Sequence, residues 1–303
     1  MALNDYAIAQ AVQIASLLEA YAPKPGNISP GKSFKDLKYH HFLFSSAAVF
    51  PAFLDLENKK IGEIILEGVK ETQSLIKTNT NLGIILLCAP LASAYQNLRD
   101  KKNIDQLSEE ELLAELRKEL HLKLTGLDKN DAKYTYRAIN YSKAGNLDQV
   151  EDADLTQEPD INLYQAMKLA EKRDSIAFEY VSDFSIIFVY AYPLFKENNK
   201  KFKNIEDVIV HSYLEILAEI PDTLISRKHG FQKAAEISNQ AAVLLKEIEN
   251  DKKNRDKKLK EFDKNLRKQK NKINPGTTAD LITAVIFLSI LVSGKKIIRK
   301  WAD

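Results

Sequence analysis

Cysteine is almost missing from the chain: Cys88 stands alone among 303 residues. A single thiol excludes an internal disulfide and any cysteine-based metal cluster. It sits in the apolar run from Gly83 to Leu91 with no base beside it, so it reads as a small buried hydrophobe rather than a nucleophile. Glycine and proline are scarce too, at ten and nine residues. Such sparse punctuation suits long helices better than many short strands and turns. An excess of one charge is also absent. The 44 Lys and Arg against 42 Asp and Glu leave a net charge of +2, which gives no global case for nucleic-acid binding. The most apolar segment, Leu281 to Val292, is shorter than the roughly 20 residues of a membrane span and reads as a core helix. No basic start followed by an apolar stretch opens the chain, so a cytoplasmic protein is expected.

Several nucleotide and catalytic signatures are missing as well. There is no Gly-rich loop ending in Lys-Ser/Thr, no Gly-x-Ser-x-Gly elbow and no dinucleotide fingerprint. His40, His41, His121 and His211 show no metal-ligand spacing, so no zinc site is expected.

What is present is helical periodicity. Hydrophobic residues make up 45% and charged residues 28%, an ordinary folded composition. Ile8, Val12, Ala15, Leu18 and Ala22 recur at helical spacing over residues 4 to 22. Further helices are expected over Lys59 to Ile76, Asn162 to Leu169, Ile176 to Tyr192 and Asn204 to Ile220, with one or two long ones from Phe231 to Lys270. Ser108 before Glu111 is a capping box opening another, and Asp128 to Arg137 reads as a short one. Leu82 to Leu98 is apolar nearly all round, which places it at the centre. The expectation is one compact all-α, multi-helix domain over residues 1–303 with a buried central helix; the acidic stretch from Gly145 to Asp160 is an exposed loop within it. The charges from Lys246 to Lys272 alternate in sign and read as a solvated face.

Chemistry is expected at four polar turns, each read as feeding a helix: Pro23 to Asn27, Thr78 to Gly83, Pro221 to Thr223, and Asn274 to Asp280. Helix starts expose unpaired N–H groups and a partial positive charge, which suit phosphate. Thr277 and Thr278 with Asp280 are also explicable as ordinary caps. Glu179 and Asp183 lie four residues apart, so they would share a helix face near Asp174. Such a pair is costly without a cation, and Mg²⁺ bridging to a polyphosphate fits; ion pairing with Lys172 or Arg173 is the alternative. Arg227, Lys228 and His229 form a basic run beside Asp222 that could clamp phosphates.

These turns, in this order, resemble the triphosphoribosyl-dephospho-CoA synthase family. Glu19 with Pro23-Lys24-Pro25-Gly26 and Asp36 is similar to its N-terminal signature. Pro275-Gly276 with Ala279-Asp280-Leu281 is similar to its C-terminal one. Asn79-Thr80 with Gly83, then Asp174, Glu179 and Phe184, then Asp222-Thr223 with Gly230, resemble the segments between. The likeness runs from about residue 5 to residue 290, with departures: Asn81-Leu82 replaces a His-Lys, Ser29 an Asp, Phe34 a His and Asp183 a Gly. The chain thus looks like a divergent, archaeal-type member.

The resemblance implies transfer of a triphosphoribosyl group from ATP to 3′-dephospho-CoA with release of adenine. It implies Glu19, Asp36 or Asp280 as general base or orienting carboxylate. Phosphate contacts would come from Lys24, Gly26, Asn79, Thr80, Asp222, Thr223, Arg227, Lys228, Thr277 and Thr278, and Mg²⁺ from Glu179 and Asp183. The expected partners are ATP and dephospho-CoA or a related nucleotide acceptor, with a homodimer admitted and neither nucleic acid nor membrane involved. Two other readings stand beside it: the same fold transferring a ribosyl or phosphoribosyl group to a different acceptor, and a non-catalytic helical interaction protein.

Overall fold

Helix α1 (Asp5–Tyr21) begins where the Asn4 side chain accepts a hydrogen bond from the Ala7 amide at 2.9 Å. It ends at Ala22, because Pro23 and Pro25 cannot continue it. The computed structural model describes residues 2–142, 159–268 and 273–302, and the acidic stretch expected as a loop lies almost wholly outside them. Fifteen α-helices and no strand occur among the described residues. In order they are α1, α2 (Tyr39–Ala48), α3 (Ile61–Leu75), α4 (Leu82–Lys101), α5 (Glu109–Thr125), α6 (Lys129–Ser142), α7 (Leu163–Ala170) and α8 (Ser175–Val181). Then follow α9 (Tyr192–Lys201), α10 (Ile205–Glu219), α11 (Thr223–His229), α12 (Phe231–Asn250), α13 (Arg255–Arg267), α14 (Gly276–Ser293) and α15 (Lys295–Ala302).

The core has two axial helices rather than one. α4 is buried from Leu82 through Tyr95 except at Gly83, as its all-round apolar composition requires. α14 is its equal: its 18 residues have a mean hydropathy of 1.8, enough by composition to cross a membrane, yet 78% of them are buried inside the fold. The two pack against each other, with α1 and α10 also against α14 and α3 and α5 against α4. Cys88 is fully buried in α4, and burial pushes its thiol pKa upward, which leaves it inert.

Two further expectations change. The stretch from Ile176 to Tyr192 is not one helix. α8 stops at Val181, Asp183 and Phe184 take left-handed φ of 53° and 55°, and a π-helix (Ile186–Ala191) leads into α9. Arg117 on α5 holds this break by donating to the carbonyls of Asp183 at 3.0 Å and Ser182 at 3.3 Å. Second, no helix follows Pro23 to Asn27. The chain turns at Gly26 (φ 80°) and runs irregularly to Tyr39, pinned to α13 because the Gly26 amide donates to Asp263 Oδ1 at 2.8 Å. The charged segment after Phe231 forms two helices, α12 and α13, within the one or two expected, and their charges pair locally, as in Arg267–Asp263 and Lys258–Asp251. Ser108 and Glu111 form the capping box at α5 as read from the sequence.

Candidate active site

Two long helices start side by side. Asn81 precedes α4 and Pro275 precedes α14, so both axial helices bring their unpaired amides and positive dipole ends to one place. The short helices α8 and α11 start there too. Thr223 Oγ1 ties three of these starts together: it donates to Thr277 Oγ1 at 3.1 Å and accepts from the Ser175 amide at 3.3 Å. Asp222 locks α11 to α14. Its Oδ1 accepts from the Ile225 amide at 3.0 Å, and its Oδ2 accepts from the Thr278 amide at 2.7 Å and the Thr278 hydroxyl at 2.8 Å. Burial raises the Asp222 pKa, and these hydrogen bonds pull it back down.

A cavity of about 500 Å³ opens in front of these starts. Glu19, Asn27, Asn79, Thr80, Asn81 and Gly83 line it from the α1 and α4 side. Asp174, Arg173, Arg227, Thr277 and Asp280 line it from the other. A more apolar wall comes from α6, α7 and α8, including Tyr136, Ile139, Leu163, Met167 and Ala177. Five buried side-chain polar atoms among the described residues lack a hydrogen-bond partner. Three of them, Thr80 Oγ1, Thr135 Oγ1 and Asn274 Oδ1, belong to this lining. Unsatisfied groups concentrated on a cavity wall are what a ligand would satisfy.

The three carboxylates on the wall are not equivalent. Glu19 pairs with Lys24 at 2.9 Å, both side chains nearly fully buried at 5% and 0% exposure. Asp174 caps α8 through the Ile176 amide at 2.8 Å and faces Arg227 at 3.9 Å. Asp280 makes no hydrogen bond or ion pair among the described residues. Burial, then the negative charges of Glu19, Asp222 and Asp174, hold its carboxyl well above the usual carboxylate range, with Arg227 opposing.

The site residues read from the sequence fall into two groups. Glu19, Asn79, Thr80, Arg227, Thr277 and Asp280 meet at the cavity. Gly26, Asp222, Thr223, Lys228 and Thr278 are outside its lining; Asp222, Thr223 and Thr278 act through the helix starts they join. Lys24 cannot reach a phosphate in this arrangement, because its ammonium is buried against Glu19 and the Glu19 and Ala22 carbonyls. Asp36 is exposed on the irregular segment and does not line the cavity.

Glu179 and Asp183 do not form the expected shared face. The Glu179 carboxylate accepts from the Ile186 and Ile187 amides at 2.8 and 3.0 Å, capping the π-helix, while Asp183 turns to His121 at 2.9 Å. The left-handed break at Asp183 separates them. No group of three or more His, Cys, Asp or Glu arranged to hold a metal ion occurs among the described residues. Sequence reasoning missed Thr135 entirely and gave Arg173 only a pairing role. Arg173 neighbours Asp174, which was a usable signal; Thr135 sits on α6 with none.

Comparison with known proteins follows the same lines. The family model for ATP:dephospho-CoA triphosphoribosyl transferase (CitG) matches residues 5–298. The crystal structure of a proposed triphosphoribosyl-dephospho-CoA synthase from Archaeoglobus fulgidus is similar at a TM-score of 0.60 and 28% identity, covering 82% of this chain and 98% of that one. A comparison with curated proteins gives no match.

Proposed function

The chain belongs to the ATP:dephospho-CoA triphosphoribosyl transferase family, and from that premise we propose that the cavity before α4 and α14 is where an acceptor hydroxyl displaces adenine from ATP. The acceptor oxygen bonds to the anomeric carbon of the ATP ribose, and the bond from that carbon to adenine breaks. The electron pair of the broken bond leaves with adenine, the hydroxyl proton balances it, and the triphosphate stays on the transferred ribose.

One observation carries the assignment of the base: Asp280 is the cavity carboxylate with no partner among the described residues, whereas Glu19 is paired with Lys24 and Asp174 Oδ1 caps α8. A raised pKa makes its ionised form a stronger base toward a hydroxyl. The starts of α4 and α14 with Arg173 and Arg227 supply the positive field for the triphosphate. Mg²⁺ suits this oxygen-only donor set. It normally takes one or two carboxylates and leaves its other positions to phosphate and water, and Asp174, through the Oδ2 that its capping bond leaves over, would hold it. Bound there, it would neutralise phosphate charge. The Glu179 and Asp183 side chains, turned elsewhere, have no part in this reading.

The reading places the protein in the cytoplasm without a nucleic-acid or membrane partner. The burial of α14 and the local pairing of charges on α12 and α13 support it. A second reading keeps the donor and changes the acceptor. It is favoured by Asn81, whose amide nitrogen is committed to Thr72 Oγ1 at 2.9 Å, and by Leu82, which brings no charge where the resemblance has His-Lys. Incubation with ATP, Mg²⁺ and dephospho-CoA tests both. Free adenine that appears only with dephospho-CoA supports the first reading; release only with another hydroxyl acceptor supports the second. Failure to release adenine with any acceptor sinks both.

A further inference from the structure

Thr135 breaks a habit of this fold. Buried hydroxyls within its helices generally satisfy themselves on the carbonyl four residues earlier. Thr72 donates to Gly68 at 2.9 Å, Thr283 to Ala279 at 2.8 Å, Ser16 to Val12 at 2.9 Å and Ser289 to Val285 at 2.8 Å. Thr135 in the middle of α6 has no solvent exposure, and its Oγ1 has no partner among the described residues. Ser238 is likewise unpaired, but on α12, away from the cavity. Thr135 lines the cavity on its α6–α7 wall, beside Tyr136, Ile139, Leu163 and Met167.

We propose that this wall is a nucleobase subsite, in which the faces of an adenine ring lie against the Tyr136, Ile139 and Met167 side chains and its edge is bound by the Thr135 hydroxyl. The proposal rests on the nucleotide reading above and names a subsite of the same cavity. A hydroxyl can donate to a ring nitrogen or accept from an exocyclic amine, so it matches a heteroaromatic edge in either sense. Apolar and sulfur-bearing side chains suit the ring faces. A phosphate gains nothing from this wall: α6 and α7 contribute no cation to the lining, and the long-helix starts are on α4 and α14. A pantetheine arm, with two amides, would bury more polar groups than one hydroxyl satisfies. Both ATP and dephospho-CoA carry an adenine, so the chemistry is shared and the experiment separates the sources.

The test uses the full chain and calorimetric titration with ATP, dephospho-CoA, inorganic tripolyphosphate and pantetheine. Thr135→Val has the same shape without the hydroxyl, and Thr135→Ser keeps it. Thr135→Val should weaken an adenine-bearing ligand about fivefold, the size of one lost neutral hydrogen bond. Thr135→Ser should restore most of that affinity, and tripolyphosphate and pantetheine should be unaffected by either. The melting temperature of ligand-free Thr135→Val should equal or exceed that of the unaltered chain, because the hydroxyl has no partner to lose. An effect on ATP alone assigns the subsite to the donor; an effect on dephospho-CoA alone assigns it to the acceptor; an effect on both also supports it. Unchanged affinity for both nucleotides, or an equal loss for tripolyphosphate, overturns the subsite while leaving the proposed function standing. An unaltered chain that binds neither nucleotide overturns both.

Discussion

Gly83 and Asp280 meet at the starts of the two axial helices with no room for a methyl group between them. A Cβ on Gly83 would lie 2.5 Å from Asp280 Cγ and 2.9 Å from Ile176 Cδ1. Glycine is required there by close approach, since its backbone is ordinary helix. Gly83→Ala should therefore displace the Asp280 carboxylate by about an ångström and lower adenine release by roughly 100-fold. Circular dichroism should report an intact helical fold. Wild-type turnover in this variant would argue against Asp280 as the working carboxylate.

The pH dependence follows from the same residue. A base must be ionised, and the Asp280 pKa is raised by burial and by Glu19, Asp222 and Asp174. Activity should thus be lost as pH falls through a value well above the ordinary Asp range near about 3.9. For stability, a raised folded pKa means the folded chain holds a proton that the unfolded chain releases. Stability is full below the unfolded pKa and declines as pH rises through the folded one. Asp280→Asn should remove that decline. It should melt higher than the unaltered chain at neutral pH, show little gain in acid, and release no adenine.

Glu179 separates a cap from a metal ligand. Burial lifts its pKa to about 8, against the pull of the Ile187 and Ile186 amides and of Arg117. Glu179→Ala strands two inward-facing amides at the left-handed break, and should cost about 2–4 kcal/mol in denaturant unfolding. The apparent Mg²⁺ affinity measured with ATP present should be unchanged under conditions where the variant is folded. A lost Mg²⁺ dependence with intact stability would restore the metal role.

How much of this was legible depended on how local the cause was. The stop after Tyr21 and the start at Gly276 are written in Pro23, Pro25 and Pro275, and the capping box in Ser108 and Glu111; each acts within a few residues of itself. The break at Asp183 is written elsewhere. Phe184 to Tyr190 is apolar but for Ser185, and what stops the helix is Arg117 on α5 with the Glu179 carboxylate turned onto the next amides. The helix starts of the site were readable because caps and anion sites use the same residues. Their division into wall and scaffold was not, because Asp222 is as polar as Asp280 and only packing shows that Thr278 already occupies it. Lys24 misled for the same reason: a lysine between two prolines looks exposed, and its pairing with Glu19 is a consequence of the turn.

That pairing gives a prediction of its own. Lys24→Met would leave Glu19 buried without its counter-ion. Removing one member of a buried pair costs about 3–5 kcal/mol, so the variant should unfold at markedly lower denaturant. Lys24→Met with Glu19→Gln should recover much of the loss. If Lys24 instead bound phosphate, the single variant would stay stable and lose ATP affinity.

The phosphate role then passes to the two arginines of the lining. Arg173 makes no ion pair among the described residues, and Arg227 stands 3.9 Å from Asp174, too far for a tight bidentate bond. Both guanidiniums are partly exposed and free to turn toward a ligand, which an ion held as closely as Lys24 is not. Charge-assisted hydrogen bonds to phosphate are roughly twice as strong as neutral ones. Arg173→Ala and Arg227→Ala should each weaken ATP and tripolyphosphate alike by about tenfold or more, and adenosine little. Raising the salt concentration should shrink the difference between variant and unaltered chain, because the lost term is Coulombic. Conservative Lys replacements should recover part of the affinity, since an ammonium keeps the charge without the planar fork. Equal losses for ATP and adenosine would mean that these side chains shape the cavity rather than hold the triphosphate.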